Sequence, residues 1–186
     1  MTISLPEGNG VILDLEATCC ENKEFPRHHM EIIEIGAIAI NIDLEIISEY
    51  STFIKPIRNP TLTPFCTSLT TITQDQIETA DTFPKASQNF AQWAAENEIA
   101  WWGSWGDYDY NQFKQDVQYH RVPHPVPQHH VNLKEVFTEN QRLSKKPGLQ
   151  QAIKLCGMDF QGTVHRGIDD ASNIARILPY ISGKKI

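Results

Sequence analysis

Apolar residues in the first third of the chain occur in short runs that are rich in β-branched side chains. The runs cover residues 11–16, 32–40 and 45–54, and the third alternates in part between apolar and polar positions. Runs of this length and composition predict strands. The polar stretch 41–43 predicts a turn between the second and third runs. Together these segments predict an antiparallel meander of three strands.

Beyond residue 60 the apolar positions follow helical spacing more often. Phe90, Trp93 and Ala94 lie on one face of a predicted amphipathic helix. The pattern predicts helices over 65–70, 84–97, 109–121, 148–156 and 169–181, and a fourth strand over 99–103, while 131–137 fits a strand or a helix. Strands that come first and then alternate with helices predict an α/β fold, with a mixed sheet covered by helices.

Length and composition fit one globular domain over residues 1–186, with a core from about residue 10 to 181. No apolar run is long enough for a transmembrane helix, and the first residues lack the pattern of a secretory signal. We therefore expect a cytoplasmic protein without a membrane association. Four cysteines without a CxxC pair make a cysteine zinc site improbable and predict reduced thiols.

The formal net charge of −7 argues against a broad nucleic-acid-binding surface, which is normally basic. Two bound divalent cations would add four positive charges and bring the net charge to about −3. An acidic chain is thus compatible with a nuclease that contacts a few nucleotides. It fits poorly with a processive enzyme that tracks along nucleic acid.

Asp14 and Glu16 stand two positions apart on the first predicted strand, so their side chains share one face of the sheet. Two carboxylates close together on a core strand are costly unless they share a proton or a cation neutralises them. The alternative is a strand end at which both acids reach water. Taken alone, this pair favours that alternative.

Two further acidic segments stand before predicted helices. Asp107 precedes the predicted helix over 109–121 and Asp109 begins it, and His165 stands shortly before Asp169 and Asp170. Acids at helix N-termini are commonplace caps, and a single loop histidine is usually a surface residue. Each segment by itself therefore indicates ordinary capping. Their order along the chain, after the acid pair of the first strand, changes that interpretation.

This succession resembles the DEDDh family of 3′→5′ exonucleases, and the surrounding motifs resemble its ERI-type branch of exoribonucleases. The resemblance covers about residues 10–181. The motifs that carry it are Asp14-Leu15-Glu16-Ala17-Thr18-Cys19, Glu31-Ile32-Ile33-Glu34-Ile35-Gly36, Phe65-Cys66-Thr67-Ser68-Leu69-Thr70, Ile72-Thr73-Gln74 and the run from His165 to Arg176. It implies a ribonuclease-H-like fold, a mixed five-stranded sheet flanked by helices.

By the same resemblance, the metal ligands are Asp14, Glu16, Asp109 and Asp170, which would hold two divalent cations, Mg²⁺ or Mn²⁺. Asp109 is preferred to Asp107 because the family's acid follows an aromatic residue and starts the helix. Asp170 is preferred to Asp169 because of its five-residue step from His165. His165 would take the proton from the attacking water. Asp14 would bridge the cations.

The resemblance also implies contacts with the substrate. Glu16 and the backbone around Ala17 and Thr18 would contact the terminal ribose. Phe65 and Leu69 would pack on the last base, although a short helix could equally hold both in its core. Tyr108 would stack nearby, where the branch commonly has tryptophan. Thr71 replaces a glycine that is usual in the branch, which could narrow the substrate groove.

The leading functional hypothesis is therefore an exoribonuclease that acts on short or single-stranded RNA 3′ ends, with no obligatory protein partner evident. A DNA 3′→5′ exonuclease of the proofreading or repair kind would use the same site. A catalytically silent nucleic-acid-binding module is the alternative from another class, but such a module has no need of four acids and a histidine. The histidine pairs at 28–29 and 129–130 and the tryptophans at 93, 101, 102 and 105 fit surface and core roles, respectively.

Overall fold

A five-stranded mixed sheet forms the centre of the molecule, in a computed structural model that describes residues 3–186. Its spatial order is β3-β2-β1-β4-β5. The strands are β1 (Asn9–Ala17), β2 (Ile32–Ile40), β3 (Ile46–Phe53), β4 (Ile99–Ser104) and β5 (His130–Asn132). The first three strands pair antiparallel, and β4 and β5 add in parallel. The predicted meander and mixed sheet are confirmed.

Eight α-helices surround this sheet within the described residues. They are α1 (Pro64–Thr70), α2 (Gln74–Glu78), α3 (Phe83–Glu96), α4 (Tyr108–His120), α5 (Leu133–Asn140), α6 (Leu149–Leu155), α7 (Gly167–Arg176) and α8 (Leu178–Ile181). None of the helices in residues 3–186 is long and apolar enough to span a membrane.

The two central strands are buried on both faces. One face of the sheet packs against α3 and α4, where Phe90 and Phe113 stack beside Trp102. The opposite face packs against α5, α7 and α8 around Phe137 and Ile174. Each fully buried side chain of this size contributes about 1.5–3 kcal/mol of hydrophobic free energy. Sheet and helices are thereby held in a fixed relation, which positions the ends of β1, α4 and α7.

The structure resolves one segment that the sequence left open and corrects one helix prediction. The ambiguous segment 131–137 begins as the short strand β5 and continues as α5, because the Asn132 side chain accepts a hydrogen bond from the Glu135 N–H at 3.1 Å and caps the helix. The predicted helix 169–181 is two helices, α7 and α8, separated at Ile177. Pro179 causes the break, since a proline has no N–H and its ring clashes with the carbonyl four residues earlier.

Candidate active site

An open cavity of about 360 Å³ lies where the ends of β1, α4 and α7 meet. All five residues predicted for catalysis line it: Asp14, Glu16, Asp109, His165 and Asp170. They come from three distant parts of the sequence. Glu16 and Asp109 are 93 positions apart, and Asp109 and His165 are 56 positions apart. The fold thus brings together the groups that the sequence order singled out.

The acid pair of β1 is not a water-exposed strand end. Glu16 is 8% exposed, and Asp14 is partly buried opposite Gly36 of β2. The backbone of Gly167, the first residue of α7, lies directly against Gly36 and the Asp14 carbonyl. Because α7 covers this face of the sheet, both carboxylates are directed into the cavity rather than into bulk water. The structure therefore shows two carboxylates close together at the sheet, and not a strand end at which both acids reach water.

Asp109 enters the cavity from the first turn of α4. One of its carboxylate oxygens accepts a hydrogen bond from the Leu15 N–H at 3.1 Å, between the two acids of β1. Asp109 is 4% exposed, whereas Asp107 is exposed one residue before the helix. The structure therefore places Asp109, and not Asp107, in the acid cluster.

A tight turn before α7 places His165 and Asp170. The His165 N–H donates to the Asp170 carboxylate at 2.8 Å, and the His165 backbone has a φ of 62° in the left-handed region. The imidazole is exposed at the cavity mouth while Asp170 is buried. Asp169 faces away and accepts from the Thr163 N–H at 2.7 Å. The cavity accordingly contains Asp170 and lacks Asp169.

Glu34 of β2 anchors this turn. Its fully buried carboxylate accepts two hydrogen bonds from the Arg166 guanidinium, at 3.1 and 3.2 Å, and a third from the Gly167 N–H at 3.0 Å. Bidentate pairs of this kind fix geometry as well as charge. Glu34 was quoted in the sequence only as part of a motif, and its anchoring role had no separate sequence signal.

Burial, together with neighbouring negative charges, raises the pKa of every carboxylate in the cluster. Burial, followed by the charges of Asp109, Asp170 and Glu16, raises the pKa of Asp14 well above its usual range. Burial also raises the pKa of Glu16 to about 8 and that of Asp109 to about 7. The pKa of Asp170 rises to about 6, mainly through burial and against the hydrogen bond from His165. The folded chain thus holds a costly concentration of negative charge.

This donor set fits divalent metal ions. Carboxylate oxygens suit hard cations such as Mg²⁺ and Mn²⁺, and a cation would offset the burial and the repulsion that together raise the four pKa values. One ligand atom each from Glu16, His165 and Asp170 lies within 4.8 Å of the others. The exposed imidazole is therefore near enough to act either as a base or as a ligand.

The predicted substrate contacts divide into two groups. Ala17, Leu69 and Tyr108 line the cavity. Thr18 does not, since its N–H donates to the Glu31 carbonyl and its hydroxyl accepts from the Glu31 N–H. Phe65 also lies outside the lining, on the same face of α1 as Leu69.

Phe65 and Leu69 are 38% and 37% exposed, which excludes the alternative that they form the core of a short helix. Thr71 is exposed and absent from the cavity wall, so it does not narrow the groove. Its φ of 62° is the left-handed conformation that favours glycine, which explains why a glycine at this position is easy to accommodate.

Besides Leu15, which stands between the two acids of β1, four further residues of the cavity wall had not been predicted: Cys19, Met30, Trp105 and Leu149. Trp105 had been assigned to the core along with the other tryptophans. Its indole N–H donates to the Pro147 carbonyl at 3.2 Å, and the ring forms part of the cavity wall. These residues reach the site from loops and a distant helix, and periodicity along the sequence carries no signal for such contacts.

Comparison with known proteins agrees with this geometry. The family model described as "Exonuclease" matches residues 11–178. The chain belongs to the exonuclease family. Human 3'-5' exoribonuclease 1 is 33% identical over 175 residues, which cover 89% of this chain and 50% of that protein. This exonuclease-family chain therefore spans about half the length of the curated relatives it matches first.

Solved structures extend the likeness to the fold. The nuclease domain of 3'hExo, a DEDDh family member bound to rAMP, has a TM-score of 0.84 and 30% identity, over 95% of this chain and 92% of that domain. Cell-death related nuclease 4 (CRN-4) has a TM-score of 0.82 and 25% identity, over 93% of this chain and 63% of that one. The predicted ribonuclease-H-like fold and DEDDh resemblance are confirmed. Exonucleases of this family use divalent metal ions.

Proposed function

We propose that this protein is a metal-dependent exonuclease that removes nucleotides from the 3′ ends of RNA. The convergence of Asp14, Glu16, Asp109, Asp170 and His165 in one open cavity carries this proposal. A catalytically silent module would not need to maintain four clustered carboxylates whose burial and neighbouring negative charges raise their pKa values. Enzymes keep such destabilising groups where chemistry uses them.

Asp14, Glu16, Asp109 and Asp170 would hold two divalent cations, Mg²⁺ or Mn²⁺. Two such ions supply charge that activates a nucleophile and stabilises the developing charge on phosphate and leaving oxygen. His165 would accept the proton of the attacking water. Its exposed position at the cavity mouth lets the imidazole exchange that proton with solvent. General-base assistance typically contributes about 10²–10⁴-fold in rate.

The terminal nucleotide would bind beside these acids. Glu16 and the Ala17 backbone would contact its ribose, and the exposed apolar side chains of Leu69 and Phe65 would pack on its base. Tyr108 would act as a hydrogen-bond donor, because burial and the charge of Asp109 raise its pKa and keep the hydroxyl protonated. Thr18, the residue after β1, would not contact the nucleotide through its N–H or its hydroxyl, since both are already bonded to the Glu31 backbone.

The relatives favour RNA as the substrate, and the cavity and the net charge favour short 3′ ends. Curated relatives are named exoribonucleases, and a structural neighbour with 28% identity is described in 3'-end specific recognition of histone mRNA stem-loop. The cavity is open and can hold a terminus, while the net charge of −7 disfavours long tracts of contact. Short or single-stranded 3′ ends suit both properties.

A digest of a 5′-labelled RNA oligonucleotide with Mg²⁺ or Mn²⁺ tests the proposal. A ladder that shortens from the 3′ end is expected, and EDTA or Asp14→Asn should abolish it. A matched DNA oligonucleotide distinguishes an exoribonuclease from a DNA exonuclease, because the two substrates differ chiefly in the 2′-hydroxyl. The absence of a ladder with either metal contradicts the proposal, as does a ladder that survives both EDTA and Asp14→Asn.

A further inference from the structure

A second groove, of about 290 Å³, adjoins the acid-lined cavity and shares the Tyr108 side chain with it. Tyr108 therefore forms a common wall between the two spaces. No carboxylate belongs to the lining of this second groove, in contrast to the cavity with its four acids. The residues that line it are Arg27, His28, Tyr108, Asn111, Gln112 and Gln115. We name it the Arg27 groove.

Arg27 is the cation of this groove. It is exposed, and its guanidinium lies 5.6 Å from the centre of the Tyr108 ring. Within residues 3–186, the recorded ion pairs involve Arg166 and Lys146 and leave Arg27 without a carboxylate partner. An arginine that is oriented by an aromatic face and has no anionic partner retains its full capacity to bind a phosphate. Arg27 thus offers a phosphate-binding group beside the acid-lined cavity.

The backbone that carries Arg27 is held in place from two sides. It belongs to a short 3₁₀ turn, Arg27–His29, between β1 and β2. On the α4 side, the side-chain amides of Gln112 and Gln115 donate to the Met30 carbonyl at 3.0 and 2.6 Å. The groove wall is thus fixed to the helix that supplies Asp109.

On the opposite side, the loop at residues 58–59 holds the same turn. The Arg58 guanidinium donates to the His28 carbonyl at 2.7 Å, and the Asn59 amide donates to the His29 carbonyl at 2.8 Å. The Glu31 carboxylate in turn accepts from the backbone N–H groups of Ile57, Arg58 and Asn59. A site that is preorganised in this way loses less entropy when it binds a ligand.

We infer that the Arg27 groove binds the ribose-phosphate backbone of the substrate strand immediately upstream of the scissile phosphate, with Arg27 contacting the first upstream phosphodiester. This inference rests on the proposed function. A polyanionic strand that leaves the acid-lined cavity has a cationic exit past Tyr108 and Arg27. The Gln112 amide already donates to the Met30 carbonyl and the Asp116 carboxylate, and the Asn111 and Gln115 amides each donate once within the protein, so Arg27 is the main donor of the groove. Arginine is a typical donor to phosphate oxygens, and such contacts position a strand without reading its sequence.

Comparison of two substrates tests this inference. One is a single-stranded RNA oligonucleotide, and the other is the p-nitrophenyl ester of uridine 5′-monophosphate, which has one cleavable phosphodiester and no upstream nucleotide. Arg27→Gln should lower kcat/KM for the oligonucleotide relative to the ester by about tenfold, through KM, as expected for one exposed charged hydrogen bond. The dependence of log(1/KM) on log salt should become shallower by about 0.7.

A neutral methylphosphonate at the first upstream linkage locates the contact. The wild-type protein should lose about tenfold in kcat/KM on this substrate, and Arg27→Gln should show little additional loss, because both changes remove the same interaction. Lys23→Gln is the matched control, since it removes one positive charge from the same loop at a residue outside the groove.

The outcomes separate the two proposals. If the wild-type protein cleaves neither substrate, the proposed function fails. If it cleaves both and Arg27→Gln leaves their ratio unchanged, the groove inference is overturned. An equal loss with Lys23→Gln, or additive losses from Arg27→Gln and the methylphosphonate, overturns it as well, since either result indicates long-range charge rather than a local contact.

Discussion

Gly36 and Gly167 meet backbone to backbone, so that a Cβ on Gly36 would lie 2.0 Å from the Gly167 carbonyl carbon. This contact seats the first turn of α7 on the sheet next to Asp14 and thereby positions Asp170. Neither glycine has a positive φ, so close approach rather than turn conformation requires them. The pair connects the packing of the sheet to the geometry of the acid cluster.

Gly36→Ala should therefore reduce both stability and activity. The destabilisation should reach the upper end of the roughly 1–3 kcal/mol that is typical of overpacking, because backbone atoms cannot move aside as a flexible side chain can. Displacement of α7 by about 1 Å should lower the cleavage rate by about 10². Denaturant unfolding and the RNA digest measure the two effects. Gly148→Ala, where nothing lies within 4 Å of the added Cβ, should alter neither.

The Glu34–Arg166 pair should also be essential for the turn that carries His165. Glu34→Gln leaves an amide facing the guanidinium and weakens the hydrogen bond from the Gly167 N–H. We expect the free energy of unfolding to fall by about 2–3 kcal/mol. This figure is lower than for a fully buried pair, because 23% of the Arg166 side chain is exposed. Thermal unfolding provides the measurement. Glu135→Gln breaks the exposed pair with Lys146 and should change stability by less than about 0.5 kcal/mol. Equal effects of the two variants would argue against an anchoring role for Glu34.

Thr71 at the end of α1 provides a test of backbone strain. Thr71→Gly should stabilise the protein by about 0.5–1 kcal/mol, since glycine adopts the left-handed conformation of this residue without a steric cost. Thr79→Gly is the matched comparison at the end of α2, where φ is −92°. Here glycine brings only added freedom in the unfolded state, and destabilisation is expected. Urea unfolding that shows the same sign for both variants would contradict this explanation.

The sequence predicted the sheet and the five catalytic candidates because their signals are local. β-branched runs identify β1 and β2, and the order Asp14, Glu16, Asp109, His165, Asp170 carries the family resemblance. The break in the last helix could have been found from Pro179, which cannot continue a helix begun at residue 167.

The remaining features depend on contacts between distant residues. The Glu34–Arg166 pair spans 132 positions, and the cavity wall at Trp105 and Leu149 depends on how loops lie across the sheet. A motif can also include a residue that does not reach the cavity. Thr18 lies inside a family motif, but its hydrogen bonds to Glu31 hold it away from the cavity wall. Motif membership therefore predicted which acids line the cavity more accurately than it predicted which of the proposed substrate contacts do.

Stability without metal should fall as pH rises. Burial and neighbouring negative charges raise the pKa of Asp170 to about 6, of Asp109 to about 7 and of Glu16 to about 8. The folded chain therefore retains protons that the unfolded chain loses above about pH 4, so the free energy of unfolding decreases with pH up to about 8. Thermal unfolding in EDTA from pH 5 to 8 measures this slope.

Two comparisons check the origin of that slope. Asp109→Asn removes one titrating group and should flatten the decrease between pH 5 and 8. Added Mn²⁺ should raise the melting temperature more at pH 8 than at pH 5, because deprotonated carboxylates bind the cation better. A stability that increases with pH in EDTA would mean that the cluster does not govern the pH dependence.

His165 should contribute to the chemical step more than to metal binding. We expect His165→Ala to lower kcat by about 10²–10⁴, the usual contribution of a general base, with Mn²⁺ affinity by calorimetry changed less than about threefold. His165→Asn is a second variant that tolerates the left-handed backbone at φ 62° and separates loss of the base from loss of the turn. A role as a metal ligand is the alternative, because ligand atoms of Glu16, His165 and Asp170 lie within 4.8 Å of one another. A tenfold or larger loss of Mn²⁺ affinity in both variants would show that the imidazole is a metal ligand rather than the base.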